Sequence, residues 1–367
     1  MSELAKIPVP LQRAETKHKE GNRTFQGIPL IGISPKGRLF AGWYAGGNGE
    51  CSENYVGIAI SDDRGETWTD LEWVIDPPAE SVRAFDATMW LSPDRTLYLF
   101  WSQCVSRKIN DVFDGENGVW FSILKNPDAP VADFQWTPPI RIADGVMMNK
   151  PFVMSDGTWG LPVSLWTRRD IGDSSRNGAK IVVSTDQGKT FVERGKVICD
   201  LDWASYDEHA IIELPDGRLK MLIRCLCGFQ ESFSSDKGYT WTSPVKSGWQ
   251  GPNSKPCFAR LASGNYMMTG NDSSARRDNL TAWFLKDGCI RESSLLLDKR
   301  SEASYPDMVQ DGEETIYIIH DFNRYKGGFI YLSRIHEEDL KAGKLVNPDS
   351  RLLMEISHTR PVPENKA

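Results

Sequence analysis

Six times this chain writes an apolar segment, a tight turn and a second apolar segment. The copies are IPLIGISPKGRLFAGWY, DATMWLSPDRTLYLFWS, KPFVMSDGTWGLPVSLW, HAIIELPDGRLKMLIRC, CFARLASGNYMMTGN and YPDMVQDGEETIYIIHDF. Each turn carries the Asp, Gly, Pro and Ser chemistry that closes a β-hairpin, and the flanks alternate Val, Ile, Leu, Tyr and Trp with smaller residues. The turns fall near Gly37, Asp94, Gly157, Gly217, Gly264 and Gly312, at steps of 57, 63, 60, 47 and 48 residues. A hairpin cannot bury its own apolar face, so six at this period predict six like units packed on one another.

A second motif lies within these units: SDDRGETW from Ser61, STDQGKTF from Ser184 and SSDKGYTW from Ser234. In five of the six units a later segment ends in this motif or something like it, and LKDGCI at Leu285 is a degenerate form. Asp and Ser can cap backbone N–H groups, Gly supplies positive φ, and the closing aromatic can pack beneath. The motif reads as a turn staple written once per unit, not as a site. Radial repetition of four-stranded sheets is how an all-β chain avoids long exposed edges. The expectation is therefore an all-β, six-bladed β-propeller with four-stranded antiparallel blades. The propeller should span residues 23–335. Residues 1–22 read as an N-terminal arm, and 336–367 as a polar C-terminal tail that can pack on the propeller, with a short helix at HEEDLKAG.

Bulk properties exclude some functions. With 43 Lys and Arg against 50 Asp and Glu, the net charge of −7 argues against nucleic acid as a partner. No apolar run approaches membrane-spanning length, so no membrane partner is expected. The first residues, MSELAKIPVPLQRAETKHKEGNR, lack the apolar core of a signal peptide, and seven scattered cysteines suit reduced thiols. Both observations predict a cytoplasmic protein. Cys225 and Cys227 in RCLCG should point to opposite faces of a strand and make a poor metal pair. The five histidines, His209 beside Glu208 among them, show no metal-ligand spacing, so no metal and no organic cofactor are expected. Oligomeric state is not written in these features.

S-x-D-x-G-x-T-W is the Asp-box, and three copies within six such units resemble the sialidase (neuraminidase) superfamily of BNR-repeat propellers. The resemblance covers roughly residues 25–335. It implies a tyrosine nucleophile activated by a glutamate, an aspartate as acid/base, and three arginines on a substrate carboxylate. Tyr305 opens the sixth hairpin and matches the tyrosine, with Pro306 in place of the family's serine and Asp321 in place of its later glutamate. Glu208 opens the fourth hairpin and matches the glutamate. Arg224, 16 residues later, matches the second arginine. Arg277, 28 residues before Tyr305, matches the third, with Arg276 as the one-residue register alternative.

The chemistry suits such a substrate. A carboxylate nucleophile would face the acidic sugar at a like-charge cost on the order of 4 kcal/mol at 4 Å. A neutral phenol avoids that cost, and a glutamate can take its proton as attack proceeds. Arginines offer a carboxylate a planar, bidentate grip.

Two positions depart from the pattern. Gly27 in FQGIPLIG stands where the first arginine belongs, so Asp321 lacks its expected partner: either another cation substitutes, or the substrate is not an ordinary sialoside. Arg83 and Lys150 open hairpins and are candidates for facing the axis. The loop AGGNGECSENYVG offers Glu50 and Glu53 but no aspartate. Glu50, preceded by glycines that suit a loop over the mouth, is the preferred acid/base; Glu53 and Asp86 are alternatives. Trp43, Tyr44, Trp90, Trp101 and Trp166 stand at hairpin ends, for the core or for stacking on sugar.

The reading that follows is a sialidase-like retaining exo-glycosidase acting on a terminal acidic sugar, a sialic acid or related 2-keto sugar acid. Its partner is then an acidic oligosaccharide or glycoside. A lyase or hydrolase on a uronic-acid-containing glycan, or a non-catalytic carbohydrate-binding propeller, are the alternatives.

Overall fold

The structure is a computed structural model, and it describes residues 6–78, 82–105, 117–166, 177–200 and 202–359. The first five residues of the arm and the last eight of the tail lie outside this set. Six antiparallel sheets form the blades, each running outward in chain order from an innermost strand. The innermost strands are Gln26–Ile33, Arg83–Leu91, Phe152–Val153, Ala204–Glu213, Cys257–Arg260 and Ala303–Gln310. Each pairs with the strand that the hairpin reading placed after it. Buried apolar side chains pack between adjacent blades: Ile31, Trp43 and Leu71 of the first blade meet Tyr317, Ile319 and Leu332 of the sixth. Trp43, Trp90 and Trp101 are core residues.

The arm and the tail both join the sheets. Gln12–Arg13 adds a fifth strand to the outer edge of the first blade. The segment 336–367 does more than pack on the propeller. After a short helix, Glu337–Ala342, its residues Arg351–Ser357 form the outermost strand of the sixth blade. Buried Arg23 ties the ends together, donating to the Ser357 hydroxyl at 2.8 Å and pairing with Asp70 at 2.9 Å.

All three Asp-boxes connect the third and fourth strands of their blades and share one geometry. In the first, the Ser61 hydroxyl donates to Asp63 at 2.8 Å and accepts from the Gly65 N–H at 2.9 Å. Asp63 also accepts from the Thr67 N–H and hydroxyl, and the Trp68 indole N–H returns to the Gly65 carbonyl. The same serine and aspartate bonds recur from Ser184 and Ser234. The residue before each glycine, Arg64, Gln187 or Lys237, is left-handed as well, at φ 62°, 59° and 60°. All three boxes are connecting turns between strands.

A β-bulge interrupts four innermost strands near their starts, between Gly27 and Leu30, Phe85 and Thr88, Ala204 and His209, and Ser304 and Asp307. At each bulge one residue is left-handed: Ile28 at φ 53°, Asp86 at 43°, Asp207 at 50° and Tyr305 at 54°. A β-branched or bulky residue there is strained, and a bulge redirects side chains that simple alternation would send elsewhere. The four bulges stand together at the rim where the inner strands begin.

Lys150 does not line that rim. Its ammonium donates to the carbonyls of Ile31 and Met89 and pairs with Asp307 at 2.7 Å, tying the first, second and sixth blades at the axis. Burial pushes its pKa down while Asp307 opposes the shift. The expectation that Cys225 and Cys227 face opposite sides of a strand also fails: Cys225 ends its strand, the chain turns at once through Leu226, and the Cys227 sulfur comes to 3.0 Å from that of Cys225. Alternation across a strand does not hold through a two-residue turn.

Candidate active site

At the rim of the four bulges lies a cleft of about 450 Å³. Its floor holds Tyr305, Glu208 and Arg224, each 4% exposed or less. The bulges at Tyr305 and beside Glu208 aim two of them inward; Arg224 arrives from the end of the strand paired with Glu208's own. Arg224 Nη1 donates to Glu208 Oε1 at 2.6 Å and to the Tyr305 hydroxyl oxygen at 2.7 Å. That hydroxyl in turn donates to Glu208 Oε1 at 3.4 Å. The second carboxylate oxygen, Oε2, is buried without a hydrogen-bond partner. Burial pushes the Tyr305 pKa up; Arg224 opposes it and Glu208 reinforces it, so the phenol is neutral. Arg224 is raised: burial works against its charge, but the Glu208 carboxylate outweighs burial.

Two more guanidiniums close around the same phenol. That of Arg277 lies 5.0 Å from the ring centroid and that of Arg324 4.4 Å. Asn253 fixes the first pair, accepting from Arg224 Nε at 2.6 Å on its side chain and from Arg277 Nη2 at 3.1 Å on its carbonyl. Arg276 is exposed and lies off the cleft, whereas Arg277 lines it. Asp321 has a partner after all. Arg324, three residues on, pairs with it at 2.7 Å, and Asp321 also accepts from the Ile28 N–H and the Ser304 hydroxyl.

Sequence reading missed Arg324, since it lies in the loop after the sixth hairpin, far in the chain from Gly27. The available signal was an arginine within reach of a carboxylate already judged to need one.

The other candidates divide. Glu50 enters the cleft, its Oε1 3.4 Å from Arg324 and 3.1 Å from the Tyr325 hydroxyl, its Oε2 3.8 Å from Arg83. Burial alone would raise its pKa; Arg324 and Arg83 outweigh burial and hold it low. Arg83 lines the cleft over the rings of Tyr44 and Phe85, with Nε on Asn54 at 2.9 Å. Glu53 is exposed and faces away, lining a separate hollow beside Gly46 and Tyr55.

Asp86 lines the cleft and is buried, with one carboxyl oxygen lacking any hydrogen-bond partner. Burial, then the Glu208 charge, push its pKa up to about 8 despite Arg83. Trp166 and Tyr206 form an aromatic wall, edge to face at 5.3 Å. His209 is a core residue whose ring meets the Lys180 carbonyl, and burial lowers its pKa to about 4. Among the described residues, no three His, Cys, Asp or Glu side chains are grouped to hold a metal ion.

The arrangement joins a phenol hydroxyl in contact with a carboxylate, a nearby carboxyl group whose pKa is pushed up to about 8, and several guanidiniums. The profile of the BNR repeat-like domain family matches residues 37–318. Trypanosoma rangeli sialidase in complex with the inhibitor DANA is similar in structure, at a TM-score of 0.68 and 17% identity over 92% of this chain and 62% of that one. A protein of unknown function from Dyadobacter fermentans gives 0.66 and 16%, over 87% of this chain and 96% of that one. The K499G mutant of NanB sialidase from Streptococcus pneumoniae gives 0.62 and 11%, over 85% and 67%. The chain thus spans about six-tenths of the length of the Trypanosoma sialidase. No curated protein matches it by sequence. The chain belongs to the BNR repeat-like family, and its fold is that of the sialidase propellers.

Proposed function

We propose that this protein is a retaining exo-glycosidase of sialidase type that releases a terminal sugar bearing a carboxylate beside its anomeric carbon. The observation that carries this reading is the Tyr305 hydroxyl held against Glu208 and Arg224 at the floor of the cleft. Tyr305 attacks the anomeric carbon while Glu208 takes the phenolic proton. Arg224, 2.7 Å from the same oxygen, stabilises the negative charge that develops there. Arg277 lines the same cleft, 5.0 Å from the centroid of the phenol ring, where it can grip the sugar's carboxylate.

A retaining enzyme also needs an acid for the leaving oxygen, and the same group then activates water against the glycosyl–tyrosine intermediate. Asp86 fits this role better than Glu50. A pKa of about 8 keeps it protonated at neutral pH, whereas the two arginines beside Glu50 keep that carboxylate ionised. The test is release of free sugar from α-linked glycosides of N-acetylneuraminic, deaminated neuraminic and 2-keto-3-deoxyoctonic acids and from uronides, with wild type and Tyr305→Phe. Turnover with retained anomeric configuration, falling by at least about a hundredfold in the mutant, is expected. An unsaturated product would make it a lyase. Binding without turnover in both proteins would make it a carbohydrate-binding propeller.

A further inference from the structure

We infer that Arg324 is the specificity-determining contact for the substrate's carboxylate, that Gly27 is kept small to seat it, and that the cleft selects a sugar with a single carboxylate. The inference rests on the reading of the cleft as a glycosidase site. A Cβ added at Gly27 would lie 3.1 Å from Arg324 Cβ, 3.1 Å from Asp321 Oδ2 and 3.2 Å from Arg324 Cδ. A side chain at 27 and the arginine at 324 therefore compete for one space. The carboxylate that anchors it, Asp321, accepts from the Ile28 N–H, one residue beyond Gly27. A cation missing from the first blade is thus supplied by the sixth, on the same anchor.

Arg324 is built in. It is 6% exposed, pairs with Asp321 at 2.7 Å, and lies 4.4 Å over the Tyr305 ring. Its other contacts are long, to Glu50 Oε1 at 3.4 Å and to the Ser304 hydroxyl at 3.5 Å. A charged donor that keeps one firm anchor and two loose contacts can turn its remaining N–H groups to a ligand. The charges also balance for one extra anion. With Asp86 protonated, arginines 83, 224, 277 and 324 face the carboxylates of Glu208, Asp321 and Glu50, which leaves one positive charge in excess. A single carboxylate neutralises the cleft, and a second anionic group on the same sugar would overfill it.

The test uses calorimetric titration of the full chain with 2,3-dehydro-2-deoxy-N-acetylneuraminic acid and with its methyl ester. Wild type should bind the acid more tightly than the ester. Arg324→Gln, which keeps an N–H near Asp321, should weaken the acid by about tenfold to a hundredfold and leave the ester unchanged. The ester serves as the control for folding. The exchange Gly27→Arg with Arg324→Gly, which returns a guanidinium to the same space, should recover part of the preference for the acid. Unaltered preference in Arg324→Gln, or no binding of the acid by wild type, would overturn the inference. The two readings fail separately. Turnover that depends on Tyr305 with no effect of Arg324 leaves the glycosidase and removes this subsite. Acid binding that depends on Arg324 without turnover does the reverse.

Discussion

Replacing Asp86 with Asn tests the electrostatics of the cleft without any substrate. Asn is nearly isosteric and tolerates the left-handed φ of 43° at this bulge, so the backbone should not change. The folded protein holds the Asp86 proton up to a pKa of about 8, whereas an unfolded chain releases it near about 3.9. Between these limits the native state binds one more proton than the unfolded state, so this residue's contribution to stability falls as pH rises. The slope is at most about 1.4 kcal/mol per pH unit, and the whole window is worth on the order of 5 kcal/mol. From pH 5 to 7 the wild type should lose about 2–3 kcal/mol relative to Asp86→Asn. Urea unfolding of both proteins across pH 5–9 measures the difference, since every other titrating group is common to the two. Parallel curves between pH 5 and 7 would refute the argument that burial and Glu208 keep this acid protonated. If Asp86 also protonates the leaving group, kcat/KM falls above pH about 8. With an aryl glycoside whose leaving group needs no proton, Asp86→Asn should keep kcat/KM, which reports the glycosylation step, and lose that limb, while kcat falls because no base activates water against the intermediate.

Two further outcomes follow from the ion pairs. Lys150→Met leaves Asp307 buried and uncompensated at the axis, so unfolding should be easier by about 3 kcal/mol. The activity of the remaining folded protein should be unchanged, and a raised KM without lost stability would return Lys150 to the substrate. Glu50→Gln removes a resident counter-ion from Arg324 and Arg83, so the sugar-acid probe should bind tighter by a factor on the order of five or less. Weaker binding in calorimetry would show instead that the Glu50 carboxylate accepts hydrogen bonds from the sugar's hydroxyls.

Much of the site could be read because it rides on short-range structure. The Asp-box closes through bonds spanning two to four residues, so Ser61, Asp63, Gly65 and Thr67 fix one turn wherever they occur. Glu208 and Arg224 belong to one hairpin, and a hairpin puts its first and last residues at the same end. Tyr305 was placed by the same logic at the start of the sixth hairpin. Its inward aim was not legible, because a bulge breaks the alternation that pattern reading assumes. Lys150 and Glu53 lie off the cleft for a related reason: opening a strand or occupying a loop gives a position along the chain, not which end or face the side chain reaches.

What the sequence determined by itself was the repeated local unit, hence an all-β propeller of six blades, and the residues that each hairpin carries to its ends. What only the tertiary structure decided was which residues meet once the ring closes. Closure sets Gly27 of the first blade against Arg324 of the sixth, 297 residues apart, so a cation missing at one place is supplied at another. It also buries Asp86 beside Glu208 and leaves Glu50 between two arginines, pushing the pKa of the first carboxyl group up and that of the second down. Neither outcome is a property of a segment, because steric exclusion and burial depend on neighbours that the chain brings together only when folded.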